Sequence, residues 1–69
     1  MKVTELLVFI ENVRFKKMLS QVKFALLLGM SAFTYMKTVN GTTKPSFVTL
    51  GRMVNYLNEI GHSIELERD

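Results

Sequence analysis

Apolar side chains recur at three- and four-residue steps over the first part of the chain, which is the pattern of a helix with one buried face. The apolar positions are Leu6, Leu7, Ile10, Val13 and Phe15. Thr4 precedes them and offers a hydroxyl that can cap the helix N-terminus. We therefore predict a first helix that has Thr4 as its N-cap residue and extends to about Met18.

Three further helices are predicted, because a serine that can cap a helix stands before each of three apolar segments. These serines are Ser20, Ser31 and Ser46. The second helix is short, since Gly29 follows it and readily adopts the left-handed conformation that ends a helix. The third is predicted to stop near Asn40 and Gly41, and the fourth near Ile60. The predicted inward-facing residues of the fourth helix are Phe47, Leu50, Val54, Leu57 and Ile60.

The C-terminal segment, residues 62–68, alternates apolar and polar side chains in the manner of a half-buried strand. Ile64 and Leu66 lie on its apolar face. Since no other segment has a strand pattern, its simplest partner is the same segment of a second copy across a two-fold axis. We therefore expect one all-α domain over residues 1–69, with four helices, a short C-terminal strand and a homodimer contact through Ile64 and Leu66.

Charge is distributed unevenly along the chain, although the net charge is only +3. No Asp or Glu occurs from Asn12 to Asn58. The same segment contains seven basic residues, which are Arg14, Lys16, Lys17, Lys23, Lys37, Lys44 and Arg52. A basic body with an acidic end is typical of proteins that bind a polyanion, and nucleic acid is the first candidate. The alternative is a basic domain with solvated charges and no such partner.

Several function classes are excluded or disfavoured by composition. The chain has no cysteine and one histidine, His62, so we expect no metal site and no cofactor. No glycine-rich phosphate loop is present, and the serines lack a nearby general base, so we expect no enzyme activity. The apolar runs are too short for a membrane span, which favours a cytosolic, soluble protein.

Residues 20–40 follow the spacing of a helix-turn-helix. Counted from Gln21, the small, turn and apolar positions are occupied by Phe24, Ala25, Leu28, Gly29, Met30 and Tyr35, with Thr38 as a weaker fit. Together with the flanking "VR", "SQ", "NG" and "KPSFVTL", residues 10 to 60 resemble the lambda-repressor-like (XRE/Cro-type) family of DNA-binding regulators. The ending "LNEIGHSIELE" further resembles the branch with a dimerising C-terminal strand, which includes HipB-like and HigA-like antitoxins and small phage repressors.

This resemblance implies a homodimeric transcriptional repressor that sets the recognition helix, residues 31–39, into the major groove of double-stranded DNA. It would be a cytoplasmic protein of bacterial, phage or mobile-element origin. By the resemblance, the residues at base edges are Gln21, Ala32, Phe33, Met36 and Lys37. Those at phosphates are Arg14, Ser20, Thr34, Asn40, Thr43 and Lys44.

Some alternatives remain open at the level of sequence. Relatives often pair the helix 1 arginine with a glutamate, but Val39 stands at that position, so our hypothesis is that Arg14 is unpaired and points at phosphate or solvent. Phe33 and Met36 either face the groove or belong to the core. Leu26 and Leu27 either pack under the first helix or form a patch for a protein partner. The alternative functions are an antitoxin that also represses its operon, and a protein-interaction module without DNA binding.

Overall fold

Four α-helices form the part of the chain that the computed structural model describes, residues 1–67. They are α1 (Val3–Lys16), α2 (Gln21–Leu28), α3 (Ala32–Val39) and α4 (Phe47–Glu59). The predicted all-helical class is confirmed, and no strand occurs within the described residues. None of these helices is long and apolar enough to cross a lipid bilayer.

Three of the helices begin at the predicted serine caps. The hydroxyl oxygens of Ser20, Ser31 and Ser46 accept the backbone N–H of Lys23, Thr34 and Thr49, respectively. Each contact satisfies one of the N–H groups that a helix leaves without an internal partner. The N-terminal ends of α2, α3 and α4 are therefore specified locally, by a serine three positions before the amide that its hydroxyl oxygen binds.

The predicted start of α1 at Thr4 is wrong. The helix begins at Val3, with Lys2 as its N-cap residue, and the Glu5 carboxylate accepts the backbone N–H of Lys2 at 2.9 Å. An acid in the first turn also interacts favourably with the positive end of the helix dipole. Glu5 therefore stabilises an N-terminus that lies two residues earlier than the hydroxyl of Thr4 suggested. At its other end α1 stops at Lys16, because Met18 adopts a left-handed conformation with φ 55°.

The core lies where the four helices meet. Its fully enclosed apolar side chains are Leu6, Ile10, Phe24, Ala25, Leu28, Tyr35, Met53 and Leu57. Phe24 is at the centre, with its ring edge-to-face to Tyr35 at a centroid distance of 5.7 Å and to Tyr56 at 5.3 Å. This cluster fixes α2 against both α3 and α4, and it leaves the opposite sides of those helices facing solvent.

The inward faces of α1 and α4 differ from the prediction at their ends. Phe15 is 66% exposed and Phe47 is 94% exposed, because each lies in a terminal turn that extends past the core. Ile60 is also exposed. Thr49 and Met53 are buried instead, in line with Leu57 one turn further on. The face of α4 is thus rotated from the predicted stripe, and Leu50 and Val54 lie half-buried at its margin.

The C-terminal segment runs beside the first residue of the same chain. The α-amino group of Met1 donates to the carbonyl of Glu65 at 2.9 Å, and the N–H of Glu67 donates to the carbonyl of Met1 at 2.9 Å. Ile64 and Leu66 are half-buried and pack on the core. The predicted strand over 62–68 is therefore not formed in residues 62–67, and residue 68 lies outside the described residues. Met1 satisfies backbone groups that the prediction assigned to a second copy, and dimerisation through Ile64 and Leu66 stays a prediction.

Candidate nucleic-acid interface

The junction between α2 and α3 is a tight turn over residues 29–31. Gly29 has φ 80°, and the N–H of Met30 donates to the carbonyl of Ala25 at 3.0 Å, which closes the end of α2. Ala25 is fully buried, so its small side chain lets α3 approach α2 closely. Of the residues that the spacing assigned to the inside, Phe24, Ala25, Leu28, Tyr35 and Thr38 are buried and Met30 packs against the core. The Thr38 hydroxyl donates to the carbonyl of Thr34 within α3 at 2.8 Å.

The outer side of α3 faces solvent. Phe33 is 68% exposed and Met36 is 40% exposed, so the alternative that these two residues belong to the core is wrong. Thr34 is exposed as well, and Ala32 is half-buried at the edge of the core. The ammonium nitrogen of Lys37 lies 4.8 Å from the centroid of the Phe33 ring, a cation–π contact that half-buries the lysine. The surface is thus apolar with one positive charge.

The loop after α3 presents polar residues at the end of this surface. Asn40, Thr43 and Lys44 are all exposed, as the phosphate assignment requires. The backbone N–H groups of Thr42 and Thr43 both donate to the carbonyl of Lys37, at 3.0 and 3.2 Å. These bonds tie the loop to the last turn of α3. At the other end of the surface, Ser20 is exposed and its hydroxyl oxygen is the α2 cap.

Arg14 does not point at solvent, so the hypothesis that it is unpaired is wrong. Its Nε donates to Oε2 of Glu11 at 2.6 Å and its Nη2 donates to Oε1 of the same carboxylate at 3.1 Å. Its Nη1 donates to the carbonyl of Leu19 at 2.8 Å. The partner is found one turn earlier on the same helix, a spacing at which side chains meet. With its donors occupied in this way, Arg14 is removed from the phosphate-binding candidates.

Glu11 connects three helices and was missed by the sequence reasoning. In addition to Arg14, it accepts the Tyr35 hydroxyl at 2.5 Å from α3 and the Gln21 side-chain amide at 3.3 Å from the start of α2. Gln21 was assigned to a base edge, but it is half-buried and one of its amide hydrogens is directed at Glu11. A signal was present in the sequence, because Glu11 is the only acid between Glu5 and Glu59.

The pKa values in this network follow from burial and hydrogen bonding. Burial opposes ionisation of Glu11, but hydrogen bonds from Arg14 and Tyr35 outweigh it, so the pKa of the Glu11 carboxyl is lowered. Burial raises the pKa of the Tyr35 hydroxyl, and its hydrogen bond to Glu11 raises it further. The hydrogen bond to Glu11 raises the pKa of Arg14. The carboxylate and guanidinium are thus both ionised near neutral pH.

Most of the basic residues remain uncompensated. Within residues 1–67 the salt bridges join Arg14 to Glu11 and the Met1 α-amino group to Glu67. Lys37 and Lys44 therefore carry their charge at the two parts of the surface assigned to bases and phosphates. No acid of the described chain lies between Asn12 and Asn58 to oppose them.

A second exposed surface lies on α2. Leu26 is 72% exposed and Leu27 is also exposed, so the interpretation that they pack under α1 is wrong. Val22, one turn before Leu26, is exposed too, and Lys23 is their exposed neighbour. The reason is that Phe24, Ala25 and Leu28 already occupy the inward side of this short helix. We refer to Val22, Leu26 and Leu27 as the α2 apolar patch.

No model of a protein family, no curated protein and no solved structure matches the chain. The two exposed surfaces, on α3 and on α2, are therefore the features of the molecule that indicate a function.

Proposed function

We propose that the protein is a sequence-preferring regulator that binds double-stranded DNA, of the lambda-repressor-like helix-turn-helix type, with α3 in the major groove. The observation that carries the proposal is the outer side of α3, where Phe33, Met36 and Lys37 are held outward by a buried contact with α2. An α-helix fits the major groove, and its exposed side chains can reach base edges there. The uncompensated positive charge around it supports a polyanionic partner.

Bases and phosphates are assigned to different parts of the surface. Phe33, Met36 and Lys37 face base edges, with Ala32 beside them at the margin. The contacts to phosphate come from Ser20, Thr34, Asn40, Thr43 and Lys44. Gln21 contributes at the edge of the groove with the part of its amide that Glu11 leaves free. Phosphate contacts fix the register of the protein on the duplex, and base contacts give the sequence preference.

Repression would follow from occupation of a promoter by a homodimer. Two copies of α3 related by a two-fold axis would enter successive major grooves about 34 Å apart, on a pseudo-palindromic operator.

Fluorescence anisotropy with a labelled mixed-sequence duplex tests DNA binding directly. We expect binding at about 50 mM salt that weakens steeply as salt rises, because each neutralised phosphate releases counterions. Replacing Lys44 by Gln should lower the slope of log affinity against log salt by about 1 per protomer, and so by about 2 for the dimer. Lys16→Gln removes the same charge from the side of α1 that lies beside Phe9 and His62 and should leave the slope unchanged. Absence of binding at about 50 mM salt would reject the proposal.

Lys37 and Lys44 should affect specificity differently. Lys37→Ala removes a base contact, so it should reduce the difference in affinity between a selected site and random duplex DNA. Lys44→Ala removes a phosphate contact, so it should weaken both duplexes by the same factor. Competition titrations with the two duplexes measure the ratio. An equal loss from both variants would contradict the division between base and phosphate contacts.

The α2 apolar patch favours a second candidate function, docking of a protein partner, as in an antitoxin or an interaction module. Lys23 is exposed on α2, and the guanidinium of Arg52 lies beside Gly29 at the C-terminal end of α2. The fitting partner is therefore an amphipathic helix with acidic residues beside its apolar face. Leu26→Lys should abolish a stoichiometric complex with such a protein and spare DNA binding. Phe33→Ala, on the other surface, should leave the protein complex intact.

A further inference from the structure

Phe33 and Lys37 form a single unit on the outer side of α3. They are four residues apart, so they lie on the same side of the helix. The ammonium nitrogen stays 4.8 Å from the ring centroid while most of the ring remains exposed. The contact restricts the long lysine side chain before DNA arrives, so less conformational entropy is lost on binding.

The two side chains prefer different bases. An exposed phenylalanine has no hydrogen-bonding group, and its favourable major-groove contact is with the methyl group of thymine. A lysine ammonium donates to O6 and N7 of guanine, which are both acceptors. No other charged residue lies on α3 that would direct the choice towards cytosine, whose groove edge needs an acidic acceptor.

The distance between the two groups limits how far apart these bases lie. Base pairs are stacked about 3.4 Å apart along each strand. A separation of 4.8 Å between ammonium and ring exceeds one such step and is shorter than two, so the contacts fall on neighbouring base pairs. The thymine methyl and guanine N7 both lie near the backbone of their own strand. Neighbours on the same strand therefore bring the two groups closer than neighbours on opposite strands.

We infer that Phe33 and Lys37 together select a thymine next to a guanine on one strand, a TpG or GpT step, in each half-site. This inference rests on the proposed function and names the step that α3 recognises. Phe33 determines the thymine and Lys37 determines the guanine. The pair acts as one element of specificity, because each side chain holds the other in position.

Two base analogues test the inference, one for the thymine contact and one for the guanine contact. After selection from random duplexes, the thymine of the enriched step is replaced by deoxyuridine, which lacks only the methyl group. We expect about fourfold weaker binding, the loss for one buried methyl. Replacing the guanine by 7-deazaguanine, which lacks N7, should weaken binding about fivefold or more. Anisotropy titrations at fixed salt give both ratios.

Matched variants assign each effect to its residue. Phe33→Ala should bind the thymine and deoxyuridine duplexes equally, and Lys37→Ala, which removes the donor, should bind the guanine and 7-deazaguanine duplexes equally. Both residues are on the surface, and circular dichroism should show unchanged helix content. Lys17→Gln should keep both discriminations. If Phe33→Ala retains the thymine preference, or Lys37→Ala the guanine preference, the inference is overturned.

The outcomes separate this inference from the proposed function. Absence of any duplex binding at low salt removes both. Salt-dependent binding with enriched sites that lack a thymine-guanine neighbour overturns the inference and leaves the proposed function standing. Enriched sites that contain the step and lose affinity with both analogues support it.

Discussion

Glu11 is the residue on which the arrangement of the α2–α3 unit depends most directly. Its carboxylate is bound by groups from three helices, and its side chain is 23% exposed. A carboxylate with charged and hydroxyl donors is strongly held in such a site, and its loss leaves those donors without a partner. Through Tyr35 the network reaches the buried side of α3, the opposite side from Phe33 and Lys37.

Replacing Glu11 by Ala should therefore lower the free energy of unfolding by about 2 kcal/mol, because Arg14 and Tyr35 lose hydrogen bonds in a partly buried site. Urea denaturation followed by circular dichroism measures this. Glu59→Ala is the matched control, since Glu59 is exposed at the end of α4, and it should change stability by no more than about 0.5 kcal/mol. Equal effects of the two variants would show that the Glu11 network contributes nothing specific.

The same network predicts a pH dependence of stability. The pKa of Glu11 is lower in the folded state than its ordinary value of 4.5. Its ionisation therefore stabilises the fold fully above pH 4.5, and this contribution is lost as the pH falls through the lower folded value. Urea titrations at stepwise lower pH should show a steeper loss for the wild-type protein than for Glu11→Gln. Parallel curves below pH 4.5 would contradict the assignment.

At the scale of the element, the turn between α2 and α3 needs a glycine. Gly29 has φ 80°, and a Cβ added there would lie 2.5 Å from Nη1 of Arg52. The backbone conformation alone costs a residue with a side chain about 1–2 kcal/mol. The arginine can move away more cheaply, since its guanidinium is at the end of a flexible chain. The strain at this position is thus mainly in the backbone.

Gly29→Ala should accordingly destabilise the protein by about 1–2 kcal/mol. Gly51→Ala is the control, because Gly51 is exposed inside α4 with no heavy atom within 4 Å of an added Cβ. That change should stabilise the protein by about 0.5–1 kcal/mol, since alanine favours helix. Thermal unfolding of the two variants should therefore shift in opposite directions. A shift in the same direction would refute the argument from the backbone conformation.

Local signals and distant contacts account for what the sequence could and could not predict. The three serine caps and Gly29 act on residues within one turn, so the boundaries of α2, α3 and α4 followed from the sequence. The rotation of α4 did not, because Phe47 and Thr49 differ in burial only through packing with other helices. The partners of Glu11 lie up to 24 residues away, and Met1 meets the C-terminal segment at the far end of the chain. Neither the contacts of Glu11 nor the contact of Met1 produces a periodic pattern in the sequence.

The same contrast between local signals and distant contacts holds for the candidate interface. The sequence left open whether Phe33 and Met36 are exposed or buried, although the helix-turn-helix spacing assigned the inward positions to other residues. The pairing of Arg14 could not be predicted from that spacing, because Val39 at the position that relatives use does not exclude a partner elsewhere, and the partner is Glu11 on the same helix. Packing of Leu26 and Leu27 under α1 was one of two alternatives that the sequence left open, and it is wrong, because Phe24, Ala25 and Leu28 are the residues of α2 that face the core.

At the scale of the whole molecule, the core is small and much apolar surface is exposed. Eight apolar side chains are buried within residues 1–67, while Met18, Leu26 and Phe47 are among the large apolar residues that face solvent. A 69-residue chain gains only a few kcal/mol from one such core, so association is a common additional source of stability. Two surfaces compete for this role, the C-terminal segment and the α2 apolar patch.

The C-terminal segment is the better site for a two-fold contact. Glu65 and Glu67 use one edge of the extended backbone to bind Met1, and in such a backbone the intervening residue, Leu66, directs its polar groups to the other edge. On that edge the N–H of Ile64 donates to Oδ1 of Asn58 at 2.9 Å, so pairing with a second copy would use the backbone of Leu66 and the carbonyl of Ile64. The α2 patch is less suited to self-association, because Lys23 would be brought towards its own copy.

We therefore expect the full chain to have twice the monomer mass of 7.9 kDa in solution, and a chain ending at Ser63 to be monomeric with its helices retained. Sedimentation equilibrium gives the masses, and circular dichroism tests the helices. Leu26→Lys in the full chain should leave the dimer intact. A dimer that survives truncation but is lost in Leu26→Lys would place the contact on α2. That result would change the distance between the two copies of α3, because the dimer contact sets this distance. Only a separation of about 34 Å lets both copies enter successive major grooves of one duplex.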